Sequence, residues 1–227
     1  VKQYLEQSWT IAAKDLRTEL RNREVLGASS AFAITTLLLF SFAFDPISNP
    51  DTRDMAGGLL WIVYAFAGIL VLNRSFARET ANDCMSALTA APISGAAVFT
   101  GKALANGLLL LALELISLPL FAAFYDVRLT GKIGPLLLVL LLGTAGFTIV
   151  GVLFGAVTAN NRLRELMLPL LVFPMTIPAL MAAIELTTLI LAGEPLGDSL
   201  IWFRLLVVFD VVFALLGANL LEFVTSS

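Results

Sequence analysis

Histidine is absent from the 227 residues and cysteine occurs once, at Cys84. Without imidazole, Ser–His and Cys–His nucleophiles and His-based zinc sites are excluded. A lone cysteine closes no intramolecular disulfide, so it says nothing about redox compartment. Charge is scarce as well. Asp, Glu, Lys and Arg make up 14% of the chain, against about 25% in ordinary soluble domains. The net charge of −3 says little by itself, and no nucleic-acid partner is expected.

What is abundant is apolar sequence, 59% of the residues with a mean hydropathy of +0.92. Six segments reach the length of about 20 apolar residues needed to cross a hydrocarbon core. They fall near 26–44, 55–72, 103–125, 133–159, 166–192 and 201–224, and the first, second and fourth carry no Asp, Glu, Lys or Arg. Little chain is left for a soluble domain. The expected fold is an all-α polytopic membrane protein, one helical transmembrane domain over 1–227. Within it, 1–25 reads as an amphipathic interfacial helix, 26–72 as spans one and two, 73–102 as a polar segment, and 103–224 as spans three to six. No cleavable signal peptide is expected, because the polar first 25 residues lead into an apolar run long enough to span.

An even number of spans puts both termini on one side. That side holds Lys2, Lys14, Arg17, Arg21, Arg23, Arg74, Arg78, Lys102, Arg162 and Arg164, whereas the other holds only Arg53, Arg128, Lys132 and Arg204. By the positive-inside rule the termini and the 73–102 segment are cytoplasmic. Before the first span, Leu5, Trp9, Ala12, Leu16 and Leu20 recur at helical spacing among basic residues, the pattern of a helix lying in the membrane interface. The loops on the other side, 45–54, 125–132 and 193–200, are too short to fold as binding domains.

Two spans carry punctuation. Gly143, Gly146, Gly151 and Gly155 in the fourth permit close helix approach. Pro169, Pro174 and Pro178 in the fifth each delete a backbone hydrogen bond, so this span is expected to be broken or hinged. Glu114, Glu185 and Asp210 lie in spans three, five and six. Carboxylates at that depth are expensive and should face a cavity or a partner. They read either as interhelical hydrogen-bonding groups or, for Glu114 and Asp210, as the lining of a substrate route.

The 73–102 segment is too long for a hairpin turn. Its stretch Gly95-Ala-Ala-Val-Phe-Thr-Gly101-Lys102 only superficially resembles a phosphate loop: five residues separate the glycines, Ala103 stands where a hydroxyl is needed, and no strand precedes it. Arg78, Glu79 and Asp83 open the segment, 81–91 suits a short helix with Met85 and Leu88 on one face, and Pro92 ends it. A short helix projecting from the membrane is a shape that seats in a groove of a soluble partner.

Arg78-Glu79, Asp83, Leu88 and Pro92-Ile93-Ser94, followed by Gly101-Lys102, resemble the cytoplasmic signature of ABC-2 type permeases. Lys14-Asp15-Leu16-Arg17 with Glu19 and Arg21, Trp61, Leu140-Leu141-Leu142-Gly143-Thr144, and Phe173-Pro174 with Thr176-Ile177-Pro178 extend the likeness over nearly the whole chain. Within that class it is similar to the haem exporter protein B family (CcmB) of cytochrome c maturation. The resemblance implies a non-catalytic subunit of the inner membrane, coupled through Arg78, Glu79, Asp83, Met85, Leu88 and Pro92 to two copies of a separate cytoplasmic ABC ATPase. It further implies self-pairing, and association with a haem-handling membrane protein and a haem chaperone. ATP would bind the partner, this chain would hold no cofactor, and haem would be cargo. Met55, Tyr125 and Cys84 are poor substitutes for an imidazole ligand to haem iron. The other readings are an exporter for a different amphipathic substrate, such as a lipid-linked glycan or a drug, and a non-transporting membrane scaffold.

Overall fold

Apolar segments that meet lipid must satisfy their backbone internally, and the described spans are all helical. The computed structural model describes residues 2–48, 55–81, 94–158, 161, 163–194, 197 and 199–226, with backbone alone at 76–81 and 223–226. Among these residues lie seven helices: α1 (Lys2–Asn22), α2 (Glu24–Phe44), α3 (Ala56–Ala81), α4 (Gly95–Phe124), α5 (Ile133–Thr158), α6 (Arg164–Ala192) and α7 (Leu200–Ser226). Helices α2 to α7 are each long and apolar enough to cross a bilayer. Even α2, at 21 residues, reaches about 30 Å. The all-α polytopic fold expected from composition is the one observed.

The core is built on α3 and α5. Helix α5 packs against α3, α4, α6 and α7, and its glycines make that possible. A Cβ on Gly143 would overlap the Trp61 ring, and one on Gly151 would overlap Leu72, so α3 and α5 approach closely only while both positions lack a side chain. Trp61, Tyr64, Phe121, Tyr125 and Phe147 fill the space between helices. Trp61 Nε1 donates to Thr187 Oγ1 at 2.9 Å, which joins α3 to α6 and satisfies the indole inside the bundle.

Helix α1 turns sharply into α2. Arg23 takes a left-handed conformation, φ 52°, which costs a non-glycine residue roughly 1–2 kcal/mol. Glu19, itself buried, offsets this by accepting the backbone N–H groups of Val25 at 2.8 Å and Leu26 at 2.9 Å. These are first-turn donors of α2 that have no intrahelical partner. The face of α1 turned toward the protein carries Ser8, Ile11, Ala12 and Glu19. Of the apolar stripe read from the sequence, Leu5, Trp9 and Leu20 stay exposed.

Two expectations change. Helix α3 continues to Ala81 and α4 begins at Gly95 rather than near 103, so most of the polar 73–102 segment is helical extension of its neighbours. Polar residues do not by themselves end a helix, because a span can run past the hydrocarbon into the interface. The fifth span is also unbroken. Helix α6 runs through Pro169, Pro174 and Pro178, as α4 runs through Pro119. Each proline still removes a backbone donor. The Thr176 hydroxyl donates into the same stretch, 2.9 Å from the Val172 carbonyl and 3.2 Å from that of Phe173.

Candidate functional site

Two polar regions stand out in this apolar chain. The first surrounds the connection from α3 to α4, at the end of the bundle that also holds α1. Arg78 and Glu79 lie on the last turns of α3. Asp83, Met85, Leu88 and Pro92, with most of the expected 81–91 helix, lie outside the described residues, as does Cys84. Both flanks of this connection are tied to other elements.

On the α3 side, Arg74 pairs with Glu24 of α2 at 2.8 Å, and Arg164 of α6 donates to the Asn73 carbonyl at 3.5 Å. The Arg74–Glu24 pair is exposed and so contributes about 0–1 kcal/mol. On the α4 side the ties are stronger. Ser94 caps the helix, its Oγ accepting the Ala97 N–H at 3.1 Å. Glu222 Oε2, from α7, accepts the Ala96 N–H at 3.0 Å, where a negative charge meets the positive end of the helix dipole. Tyr4 of α1 shares a 2.5 Å hydrogen bond with Thr100. Lys102 Nζ lies 3.6 Å from Asp15 Oδ2 of α1, with the lysine only 2% exposed. A buried ammonium is tolerated only with a partner, so Asp15 fixes α1 against α4.

Gly101 permits this contact, because a Cβ there would lie 2.7 Å from the Ser8 carbonyl oxygen and 2.8 Å from the Ile11 side chain. Gly101 and Lys102 therefore serve the α1–α4 contact, and the phosphate-loop likeness is set aside: both residues sit inside a helix.

The second region lies inside the bundle. Glu114 on α4 is fully buried, and its Oε1 accepts the Thr144 hydroxyl of α5 at 2.7 Å. Tyr64 of α3 donates to the Glu114 carbonyl at 3.3 Å and accepts from Ser117 at 3.2 Å. Glu114 Oε2 and both Asp210 carboxylate oxygens are buried without a hydrogen-bond partner among the described residues. Asp210 packs on Gly146, where a Cβ would lie 2.5 Å from Oδ1. Glu185, by contrast, is exposed on the outer face of α6.

A groove of ≈ 480 Å³ runs beside this network between α4, α5 and α7. Its wall is apolar, through Phe99, Leu108, Leu141 and Leu215, with hydroxyls at Thr144 and Thr148 and Tyr4 at one end. Neither Glu114 nor Asp210 lines it; Thr144 stands between Glu114 and the groove. Tyr125, one of the weak haem-ligand options, is wholly buried, and Met55 is exposed.

The roles of Glu19, Asp15, Lys102 and Thr144 were not evident from sequence. For Lys102 the available signal was a charge whose neighbours one turn away include Val98, Phe99 and Ala105.

Six membrane-crossing helices, an elbow helix clamped to the third span and a polar connection between spans two and three define a multi-pass membrane subunit. The family model described as CcmB protein matches residues 6–221, and the chain belongs to that family. It is 31% identical over 176 residues to heme exporter protein B of Rhodobacter capsulatus, covering 78% of this chain and 80% of the relative. The protein of the same name from Paracoccus denitrificans is 31% identical over 173 residues, covering 76% and 78%. That from Pseudomonas aeruginosa is 30% identical over 193 residues, covering 85% of each.

Proposed function

We propose that this chain is the permease subunit of a haem export system serving cytochrome c maturation. Membership of the CcmB family along almost the whole chain carries this reading, and three relatives named heme exporter protein B support it. The subunit sits in the inner membrane with both termini cytoplasmic, the orientation favoured by its basic residues. It catalyses no reaction. Two copies of a cytoplasmic ABC ATPase supply the energy, and further partners are a second copy of this chain, a haem-handling membrane protein and a haem chaperone.

The connection 82–93, with Arg78 and Glu79 before it and Ser94 after it, receives the ATPase stroke. Because α4 is held to α1 by Lys102–Asp15 and to α7 by Glu222, a push on its first turn moves three helices together. The prolines of α6 supply the compliance for a hinge or shear change. ATP shifts this equilibrium only as far as it binds the two states unequally. The chain transmits motion without holding the haem iron, since it has no histidine.

The test is co-purification with the candidate ATPase, together with Glu79→Ala and Asp83→Ala. Both variants are expected to keep the complex, lose coupling between ATP hydrolysis and haem delivery, and lower the yield of c-type cytochromes. Unchanged cytochrome yield after deletion of the chain would overturn the reading. A stoichiometric haem spectrum with protein ligation, from the purified chain alone, would overturn the claim about the iron.

A further inference from the structure

At the end of the bundle opposite α1, a cavity of ≈ 290 Å³ opens between the first turn of α3, the α4–α5 connection and the last turns of α6. Gly57, Arg128, Lys132, Thr188 and Leu191 line it, with Asp126. Lys132 Nζ donates to the Leu191 carbonyl at 2.6 Å. That bond fixes the ammonium at the wall and leaves two of its three N–H donors for other use. Arg128 is exposed, and its guanidinium makes no hydrogen bond or ion pair among the described residues. Asp126, the one carboxylate among the described lining residues, already has an interaction of its own.

The remaining walls add donors. Gly57 lies in the first turn of α3, where N–H groups lack intrahelical partners and the helix dipole is positive. The Thr188 hydroxyl is close by: a Cβ on Gly57 would stand 2.5 Å from its Oγ1. Among the described residues, two cations, a hydroxyl and a helix N-terminus thus converge on one concavity, against one carboxylate, Asp126, that already has an interaction of its own. Val127 and Leu191 make part of the wall apolar.

We propose that this cavity binds the anionic head, carboxylate or phosphate, of an amphipathic molecule, with Arg128 and Lys132 as its cationic clamp. Its volume is at the lower edge of small-molecule pockets, about 300–1,000 Å³, so it takes a head group while the apolar body stays in the membrane. Arg128 supplies a planar fork suited to two oxygens. Lys132 supplies a point charge that the α6 terminus holds in place. The inference does not depend on haem being the cargo, because an anionic lipid satisfies the same chemistry.

The experiment uses the full chain in phosphatidylcholine nanodiscs, titrated with haem or with its neutral dimethyl ester. A second arm scores retention of phosphatidylglycerol by native mass spectrometry. At least one anionic probe is expected to bind in preference to its neutral counterpart. Losing one charge-assisted bond predicts about a tenfold or larger rise in Kd for Arg128→Gln, with Arg128→Lys nearer wild type. Preference for haem over the ester identifies a carboxylate ligand, and preference for phosphatidylglycerol identifies a lipid phosphate. Either result, abolished in the Arg128→Gln/Lys132→Gln double variant, supports the site. If Lys132→Gln fails to fold, Arg128→Gln and Arg128→Lys alone decide it. Equal binding of anionic and neutral probes, equal binding by wild type and Arg128→Gln, or binding of neither anionic probe would overturn it.

Discussion

Thr144 on α5 donates its hydroxyl to the Glu114 carboxylate on α4 at 2.7 Å, in a place neither side chain shares with solvent. Among the described residues the other oxygen of that carboxylate has no donor and Thr144 is the one side chain that donates to it. Thr144→Val keeps the shape and deletes the donor. It is expected to lower stability by about 0.6 kcal/mol, the average measured for hydrogen bonds between membrane helices, and by no more than about 1.7. Glu114→Gln, whose amide oxygen still accepts, should cost less. Reversible unfolding in mixed micelles reads both, and a neutral Thr144→Val would show that the bond has no net value.

The α3–α5 contact depends on the missing side chain at Gly143. Gly143→Ala places a methyl group against the Trp61 ring and should destabilise by about 1–3 kcal/mol, the usual range for overpacking. Gly134→Ala, on the same helix with nothing within 4 Å of the added carbon, is the control and should stay within about 0.5 kcal/mol of wild type. Thermal melts of the two variants side by side provide the comparison.

Removing the Glu19 carboxylate frees two backbone donors at the start of α2. Glu19→Ala is expected to cost about 1–3 kcal/mol, and Glu19→Gln less, because the amide oxygen can still accept. A cysteine-pair distance measured between α1 and α4 by electron spin resonance should broaden in Glu19→Ala and stay narrow in Glu19→Gln. An unchanged distance distribution in Glu19→Ala would rule out a role in setting the elbow.

Lys102 and Asp15 face each other across the α1–α4 contact at 3.6 Å. In a double-mutant cycle of Lys102→Met and Asp15→Asn, the coupling energy is expected at about 0.5–3 kcal/mol, as for contacting members of one network. Either single variant should also weaken stimulation of the partner ATPase, while the double variant recovers stability better than coupling. Additive stabilities would remove this pair as the clamp.

Much of the fold was legible because lipid imposes so few solutions. The six spans could be placed from apolar length alone. Hydropathy does not locate the helix ends, however, which is why α3 and α4 run into the polar segment further than expected. The prolines at 169, 174 and 178 were visible, but whether α6 would break depended on neighbours that the sequence pattern does not list. Glu114 and Asp210 were found by their charge at membrane depth. Their surroundings, Thr144 for one and Gly146 for the other, both come from α5, a different helix from either carboxylate, and have no signature along the chain.

By itself the sequence determined that this protein lives in a bilayer, which end carries the basic residues, and that imidazole chemistry is closed to it. Those properties follow from composition and from the order of apolar runs, which act residue by residue. Only the tertiary structure decided that α1 grips the start of α4 through Lys102, that Gly143 admits Trp61, and that Arg128 and Lys132 share a cavity with the first turn of α3. These depend on how helices distant in sequence pack, and packing is set by shape between chains of side chains rather than by any one segment.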